Sequence, residues 1–337
     1  MQLQKFNTLL DLLTYFESEQ VCRDYLESFR WPEGVKCAYK DCGHDKVMKF
    51  GNGKVYKCSK CRRQFSVKVG TIFHDSKIPL KKWYAAIYLI TSHKKGISSI
   101  QLGKDIGTTQ KTAWYMNHRV RHSLGWDIPE EKLFGTVEAD EHFVGGKEGN
   151  KHKRKRTPGT QGRSTQTKTP VAGLVQRGGD VRAKQVTDTS GSTLRKFVHE
   201  NVERGSKLHT DEWWGYHGLE KLFGHSFIKH KENEYVKGDV HTNTMEGFWS
   251  LLSRGVMGIY HSWSNKHLQK YLDEFVFRYN TRNLTEGDRF NVMLSGLATH
   301  LPYQKLIEDA KQQPVQWFTN SMPVDRGSQY QQGSFGF

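Results

Sequence analysis

The chain has 337 residues, a length that predicts two or three domains. Its formal net charge is +16 and its pI is near 9.5, which indicates a polyanionic partner, most often nucleic acid, with an anionic membrane surface as the alternative. No apolar run reaches the ~18 residues that a membrane-spanning helix needs, and the polar residues in MQLQKFNTLLDLLTYF argue against a signal peptide. We therefore expect a cytoplasmic protein, associated with the nucleoid and not with a membrane.

The first predicted element is a helical segment over residues 1–30, and a region rich in Cys, Lys and Gly follows over residues 31–68. Four of the cysteines in this region form two pairs, and that spacing predicts a zinc ribbon with a structural Zn²⁺. Because the first pair is spaced more widely than usual, His44 is an alternative zinc ligand. Unmetallated cysteines are the competing interpretation, but so short and polar a segment lacks the apolar residues to fold alone. The predicted ligands are Cys37, Cys42, Cys58 and Cys61.

Residues 78–125 have a helical pattern of apolar residues, in which a turn at Gly107 separates two short helices. This is the arrangement of a helix–turn–helix DNA-binding region, where the start of the second helix faces bases and phosphates. An ordinary helical hairpin with a solvated polar face is the alternative. The predicted DNA-binding residues here are Thr108, Thr109, Gln110, Lys111 and Arg119.

Residues 134–290 follow the order β-β-β-α-β-α, a mixed α/β layout that is expected of a ribonuclease-H-like core. The fold class is therefore multidomain, with an N-terminal zinc ribbon and helix–turn–helix before an α/β ribonuclease-H-like core. Residues 291–337 are predicted to form a C-terminal helical segment and a disordered tail. A basic insertion, residues 150–170, is predicted between the first two strands. Its cations are expected to neutralise DNA phosphates: Lys151, Lys153, Arg154, Lys155 and Arg156.

Two aspartates stand at or near the ends of predicted strands. In TVEADEHFVGG, strand alternation places Glu138, Asp140 and His142 on one face, and Asp is unusual there because of its low strand propensity. A solvated strand face is the simpler explanation. In KLHTDEWWGY, Asp211 either ends a strand at a turn or contributes a carboxylate to a site, with Glu212 as the neighbouring alternative.

A third acid lies in HTNTMEGFWS, at the start of a predicted helix. Taken alone, Glu246 is best explained as part of a capping box in which Asn243 is the N-cap. Taken together with Asp140 and Asp211, the same residue completes a set of two strand aspartates and one helical glutamate. Such a set can hold two divalent cations, and hard oxygen ligands favour Mg²⁺ or Mn²⁺.

With these motifs in this order, the chain resembles the DDE-type insertion-sequence transposases that carry an N-terminal zinc ribbon. These form the ISXO2-like group, the bacterial and archaeal relatives of the Merlin transposases. The resemblance extends from about residue 17 to about residue 305. The segments that carry it are YKCSKCRRQFSVKVGTIFHDSKIPL, the helix–turn–helix stretch, VEADEHFVGGK, HTDEWWGY and HTNTMEGFWSLLSRGVMGIYHSWS.

The resemblance implies a metal-dependent polynucleotidyl transferase from a bacterial or archaeal host. It implies that Asp140, Asp211 and Glu246 are catalytic and bind two Mg²⁺ or Mn²⁺ ions. Asn243 is a second candidate, because some relatives have Asn as the third residue of the motif. Relatives often place a basic residue two turns after the third acid, where this chain has a serine, so the neighbouring Arg254 is assigned the basic role.

The resemblance also implies partners and a reaction. The zinc ribbon and helix–turn–helix would bind the terminal inverted repeats of an insertion sequence, and the freed 3′ end would attack target DNA. Joining two ends requires at least a dimer on double-stranded DNA. Two rival functions are a DNA-binding regulator without catalysis and a metal-dependent nuclease that cleaves DNA but never joins it.

Overall fold

The computed structural model describes residues 4–125, 131–145, 149, 152–158, 164, 166–228, 238–261, 263–297 and 299–308. No helix within these ranges is long and apolar enough to cross a bilayer. The α-helices are α1 (Leu9–Tyr15), α2 (Glu19–Arg30), α3 (Leu80–Ser92), α4 (Ser99–Asp105), α5 (Gln110–Leu124), α6 (Gly191–Asn201), α7 (Asn243–Gly255), α8 (Leu268–Asn280), α9 (Glu286–Ser295) and α10 (Tyr303–Ile307). The strands are β1 (Val47–Lys49), β2 (Tyr56–Cys58), β3 (Gln64–Phe65), β4 (Thr136–Val144), β5 (Thr169–Gln176), β6 (Val181–Gln185), β7 (Lys207–Thr210) and β8 (Gly224–Phe227).

Helices from the two ends of the described chain share one aromatic core. The ring of Phe16 lies 4.6 Å from that of Tyr84 in α3 and 6.1 Å from that of Phe290 in α9. A side chain at Gly287 would meet the backbone oxygen of Phe6 at 2.2 Å, so α9 packs directly on the chain before α1. The predicted domain boundary at residue 290 therefore falls inside a helix that packs with the N-terminal helices.

A small antiparallel sheet, in the order β1-β2-β3, follows α2. Its buried core is small, and aromatic rings are its largest side chains. The rings of Tyr56 and Phe65 stack at 5.5 Å, and Trp31 contacts both of them edge-on. This core is too small to hold three strands by burial alone, which is the situation in which small domains depend on a metal.

Helices α4 and α5 lie on either side of the turn that the sequence predicts. Ser98 Oγ accepts the amide of Gln101 at 3.1 Å, and Thr109 Oγ1 accepts that of Thr112 at 3.3 Å, so each helix begins at a hydroxyl cap. Gly107 has φ of +62°, a conformation that glycine adopts without strain and most other residues do not.

A buried ion-pair network joins α5 to α8. Glu274 bonds both Arg121 and Arg278, and Tyr260 donates a further hydrogen bond to it at 2.8 Å. Burial alone would raise the pKa of Glu274, but the two guanidinium groups lower it to about 2. The carboxylate is thus kept charged, and the helical region is fixed to the larger sheet domain.

The larger sheet has five strands in the order β6-β5-β4-β7-β8. The first three in sequence are antiparallel neighbours, and β7 and β8 run parallel to β4. The predicted mixed α/β core is thereby confirmed, with β8 as an additional strand that the sequence pattern did not indicate. Its short segment, GHSF, has no alternation of apolar and polar residues that would predict a strand.

Helices cover both faces of this sheet. On one face Ala139 and Leu174 pack with Leu194 of α6. On the other, Val171 and Val175 pack with α7 and α8. Gly173 allows α7 to approach closely, because a Cβ there would lie 2.3 Å from Met245 Cε. Alternate residues of β4 and β5 therefore face different helices, and the acidic positions of β4 divide in the same way.

Candidate functional site

The four cysteines of the ribbon form one cluster. One Sγ atom from each lies within 4.8 Å of the others, and the Cys37–Cys61 and Cys42–Cys58 sulfur pairs are each 3.7 Å apart. A tetrahedron with Zn–S bonds of about 2.3 Å has edges of about 3.8 Å, so the thiols are spaced for a zinc ion. The cluster therefore suits a structural Zn²⁺ with four protein ligands.

His44 is not part of this cluster. Its backbone oxygen accepts the amide of Cys37 at 2.8 Å, which closes the wide first knuckle, and its ring lies 3.5 Å from Asp45. The wider spacing of the first pair is thus accommodated by the backbone, without a change of ligand. Arg63, which also pairs with Asp41, lowers the pKa of the Cys61 thiol to about 6 and favours the thiolate that a metal needs.

Among the described residues, a second cluster of possible metal ligands consists of Asp140, Glu141 and Asp211, and one carboxylate oxygen from each lies within 4.8 Å of those from the other two. Asp140 is in the middle of β4 and not near its end, which corrects the expectation from sequence. It lies two residues beyond Glu138, the last position that β4 pairs with β7. Asp211 directly follows β7, so the carboxylates meet where β7 ends beside β4.

Asp140 is oriented by a tryptophan of α7. Trp249 Nε1 donates to Asp140 Oδ2 at 3.0 Å, and the same indole stacks on His142 at 5.1 Å. Burial, and then the charge of Asp211, raise the pKa of Asp140 to about 7. A carboxyl group that is difficult to ionise when the site is empty is a group that gains from a bound cation.

Asp211 is also held by the chain around it. The amide of Trp213 donates to Asp211 Oδ1 at 2.9 Å, which fixes the turn after β7. Of the two neighbouring acids, Asp211 and not Glu212 enters the cluster. Glu141 faces the α6 side of the sheet, where burial, and then the charge of Glu141, raise the pKa of Tyr216.

Glu246 lies outside the 4.8 Å cluster but close to it. It is exposed on the first turn of α7, and its charge contributes to the raised pKa of Asp140. Asn243 is also exposed, at the first position of the helix. The predicted capping box is wrong, because the N-cap is Thr242, its side chain makes no capping bond, and the helix start is bound by Glu138 instead.

The alternative interpretation of the acidic face of β4 as a solvated surface does not hold at Glu138. Glu138 is fully buried, and its oxygens accept the backbone amides of Thr244 and Met245 at 2.8 and 3.0 Å. Arg177 Nε donates to the same carboxylate at 2.7 Å. The alternation of polar residues in TVEADEHF is visible in the sequence, but the sequence does not show that a helix whose first turn includes Thr244, 106 residues after Glu138, covers that face.

Arg254 is exposed in the last turn of α7. It follows Glu246 by eight residues, which corresponds to about 12 Å along the helix axis. Arg254 is thus displaced from the carboxylates toward the far end of the helix.

The residues predicted to read DNA divide into exposed and buried ones. Thr109, Gln110 and Lys111 are exposed at the start of α5, and Thr108 is half-buried beside them. Arg119 is buried, and its guanidinium donates to the backbone oxygens of Leu301, Ile72 and His74. This structural role is a correction to the expected one, and Arg119 has no part in the surface proposed below.

Part of the basic insertion is described. Lys153, Arg154 and Lys155 form a short 3-10 turn with no buried residue, and Arg156 Nη2 donates to the backbone oxygen of Gly149 at 2.6 Å. Lys151 and all residues after 308, which include the predicted tail, lie outside the described residues. The described part offers a cluster of exposed cations after β4, the strand of Asp140.

Comparisons with known proteins agree with these sites. Residues 132–280 match the model of the ISXO2-like transposase domain, and residues 17–64 match that of the transposase zinc-ribbon domain. A protein of Halobacterium salinarum, described as an uncharacterized protein in transposable element ISH50, is 32% identical over 278 residues, which cover 78% of this chain and 91% of the relative.

Two solved structures also show similarity, both of Mos1. The strand transfer complex matches with 12% identity and a TM-score of 0.27, over 65% of this chain and 79% of that one. The pre-cleavage transpososome matches with 12% identity and a TM-score of 0.22, over 65% and 80%. These TM-scores are too low to define a shared fold, whereas the two family models cover the carboxylate cluster and the ribbon, and the archaeal relative covers most of the chain. The chain belongs to the ISXO2-like DDE transposases with an N-terminal zinc ribbon.

Proposed function

We propose that this chain binds the terminal inverted repeats of an insertion sequence and catalyses divalent-cation-dependent DNA cleavage and transfer of the 3′ end. The observation that supports this most directly is the convergence of Asp140 and Asp211 beside the exposed first turn of α7. The relative from Halobacterium salinarum, whose name assigns it to a transposable element, agrees with such a role.

Asp140, Asp211 and Glu246 would hold the cations, with Asn243 as an alternative at the helix start. Their hard oxygen donors suit Mg²⁺ or Mn²⁺. Two such ions supply activation of a water nucleophile and stabilisation of the leaving 3′ oxygen in phosphodiester cleavage. The raised pKa of Asp140 fits this assignment, because crowded carboxylates are most easily ionised around a cation.

The protein's own groups would fix the geometry of the site. Trp249 orients the carboxylate of Asp140, and the amide of Trp213 orients that of Asp211. Glu246 is exposed, so it can approach both a cation and the DNA strand. Arg254 would contact a phosphate about two helical turns from the cleaved bond.

DNA would be bound away from the carboxylates by two basic surfaces. Thr109, Gln110 and Lys111 would enter a groove from the first turn of α5. The turn of Lys153, Arg154 and Lys155 would contact phosphates, as would Lys151 and Arg156. Since these contacts release counterions, binding should weaken steeply with salt. Pairing of two ends would require at least a dimer.

The proposal is tested on a supercoiled plasmid that carries the two ends cloned from the DNA flanking the gene. The parent protein should cut at the 3′ ends with Mg²⁺ or Mn²⁺, not with EDTA, and should join those ends to a second plasmid. Asp140→Asn and Asp211→Asn should abolish both steps, whereas Asp24→Asn on the surface of α2 should change neither. Cleavage without joining would identify a nuclease, and binding without cleavage a regulator.

A further inference from the structure

The start of α7 is bound by a residue of β4. Glu138 Oε2 accepts the amides of Thr244 and Met245 at 2.8 and 3.0 Å, and Oε1 accepts Thr244 Oγ1 at 2.9 Å. The first amides of a helix have no partner inside the helix and carry its positive partial charge. A buried carboxylate of the sheet therefore accepts the first amides of α7, as the side chain of an N-cap residue does in other helices.

The sequence of α7 provides no cap of its own. Thr242 is the N-cap residue, and its side chain makes no bond to the amides of the first turn. Its hydroxyl instead donates to Glu246 Oε1 at 3.4 Å. By contrast, the described helices α1, α2, α4, α5 and α9 all begin at a Ser or Thr whose side chain accepts an amide of the first turn. The first amides of α7 are thus bound by Glu138 and not by a side chain of the segment that enters the helix.

A guanidinium group completes this attachment. Arg177, in the turn between β5 and β6, donates to Glu138 Oε1 at 2.7 Å, to Asp239 at 2.7 Å and to the backbone oxygen of His241 at 3.1 Å. The His241 ring also lies 3.3 Å from Glu138. The segment that enters α7 is therefore held by the same pair of charges as the helix start.

Glu138 and Asp140 project from the same face of one strand, two residues apart, or about 7 Å. α7 contacts both of them, through its first-turn amides and through Trp249. Glu246 follows the capped amides directly, and its own amide bonds the backbone oxygen of Thr242 at 3.0 Å. Any movement of the helix start relative to Glu138 would therefore change the distance from Glu246 to Asp140.

We propose that Glu138 is a positioning residue of the transposase reaction, which caps α7 from β4 and thereby sets the distance of the Glu246 carboxylate from Asp140 and Asp211. This inference rests on the function proposed above. Glu138 itself holds no cation, because its two oxygens are taken up by the helix start and by Arg177.

The test is Glu138→Gln in the full chain. An amide has one acceptor oxygen, so it cannot serve both the helix amides and the side of Arg177. Glu200→Gln, the same change at a more exposed residue of α6, is the matched control. Three quantities are compared: hydrogen exchange of the peptide covering residues 242–249, binding of Mn²⁺ alone, and the maximal rate of end cleavage in a Mn²⁺ titration.

We expect Glu138→Gln to accelerate exchange in that peptide about tenfold or more, which is the effect of losing one charge-assisted hydrogen bond. Maximal cleavage should fall by about 10- to 100-fold, as is typical when a group that orients ligands is removed. Mn²⁺ binding should weaken, while affinity for the DNA end in EDTA should be unchanged. Glu200→Gln should match the parent in all of these.

Faster exchange with unchanged cleavage and Mn²⁺ binding would overturn the inference. If Glu138→Gln shows no cooperative melting, Thr244→Val becomes the test variant, because it removes only the hydroxyl bond to Glu138 and keeps both amides. It should then lower cleavage at least threefold without loss of folding, and an unchanged rate would overturn the inference. A parent protein without cation-dependent cleavage would instead refute the proposed function, so the two failures are distinguishable.

Discussion

The indole nitrogen of Trp249 lies 3.0 Å from Asp140 Oδ2 and donates a hydrogen bond to it. This contact joins the strand that carries one aspartate to the helix that carries Glu246. It also opposes the effect of burial, which together with Asp211 raises the pKa of Asp140 to about 7. Trp249 therefore favours the ionised form that a cation needs.

Replacing Trp249 by phenylalanine removes this donor and leaves an aromatic ring at the position. We expect the pKa of Asp140 to rise further, because the lost bond favoured the charged form. Mn²⁺ binding at pH 7 should weaken by about 3- to 10-fold and approach that of the parent at pH 9. Calorimetric titration with Mn²⁺ at several pH values measures this.

Trp263→Phe is the matched control for that variant. The Trp263 nitrogen is buried and has no hydrogen-bond partner within the described part of the chain. Its loss should leave Mn²⁺ binding unchanged. If Trp249→Phe also binds Mn²⁺ like the parent at every pH, the indole does not act on Asp140.

Asp140→Asn should stabilise the protein in the absence of cations while it removes activity. The folded-state pKa of Asp140, about 7, lies above the ordinary value of 3.8, so the folded protein retains a proton that the unfolded chain has lost. Folding stability therefore falls as pH rises from about 4 to 7, and the variant escapes this loss. In EDTA at pH 8 we expect its Tm to exceed that of the parent by about 4 °C.

Thermal melts across pH 4–8 measure this difference. It should vanish near pH 4, where Asp140 is protonated in the folded protein. Saturating Mn²⁺ should reverse the order at pH 8 by stabilising only the parent. A difference in Tm that is independent of pH would show that ionisation of Asp140 does not oppose folding.

The two glutamates near the aspartates should respond differently to the change to glutamine. Glu246 is exposed, so Glu246→Gln should keep the Tm of the parent. It should lower the cleavage rate by more than about 100-fold, because changes at groups that only support the ligands typically cost up to that factor. Glu141 is buried, so Glu141→Gln should lower Tm and affect cleavage less. Cleavage rates and melting curves of both variants measure this. The opposite order would assign Glu141 as the third ligand.

Removing the ribbon metal should unfold the ribbon and leave the sheet domain intact. The four sulfurs are spaced for zinc, and the aromatic core around Tyr56 is small. Cys58→Ser should reduce the zinc content, measured by atomic absorption, from one ion per chain to none. Cys22→Ala should retain the zinc, because Cys22 lies in the helical core. One zinc ion in Cys58→Ser would contradict the four-cysteine site.

The sequence was sufficient wherever a local pattern carries the structure. The cysteine spacing predicts the cluster, Gly107 predicts the turn between α4 and α5, and the strand order predicts the mixed sheet. The order of the acidic motifs along the chain indicates Asp140 and Asp211, and the family resemblance implies that they bind the cations. Each of these features depends on residues close in sequence, or on an order of elements that is visible along the chain.

What the sequence did not predict depends on contacts between distant segments. The sequence around Glu138 is compatible with a solvated strand residue, but in the structure α7 covers this side chain. Arg119 is compatible with a DNA-binding arginine, but in the structure it binds the backbone oxygens of Leu301 and Ile72. The helix α9 packs closely on the backbone of Phe6 at Gly287, a contact that no sequence motif indicates. Burial of a polar side chain is decided by the partner that covers it, which a single sequence does not specify.

The most direct test of the central claim, that Asp140 and Asp211 hold the catalytic cations, is a change of metal preference. A thiolate is a softer ligand than a carboxylate and binds Mn²⁺ in preference to Mg²⁺. Asp211→Cys should therefore be inactive in the end-cleavage assay with Mg²⁺ and regain cleavage with Mn²⁺, while Asp211→Ala stays inactive with both. Equal loss of cleavage with both ions for the two variants, or undiminished cleavage by either variant with Mg²⁺, would contradict the claim.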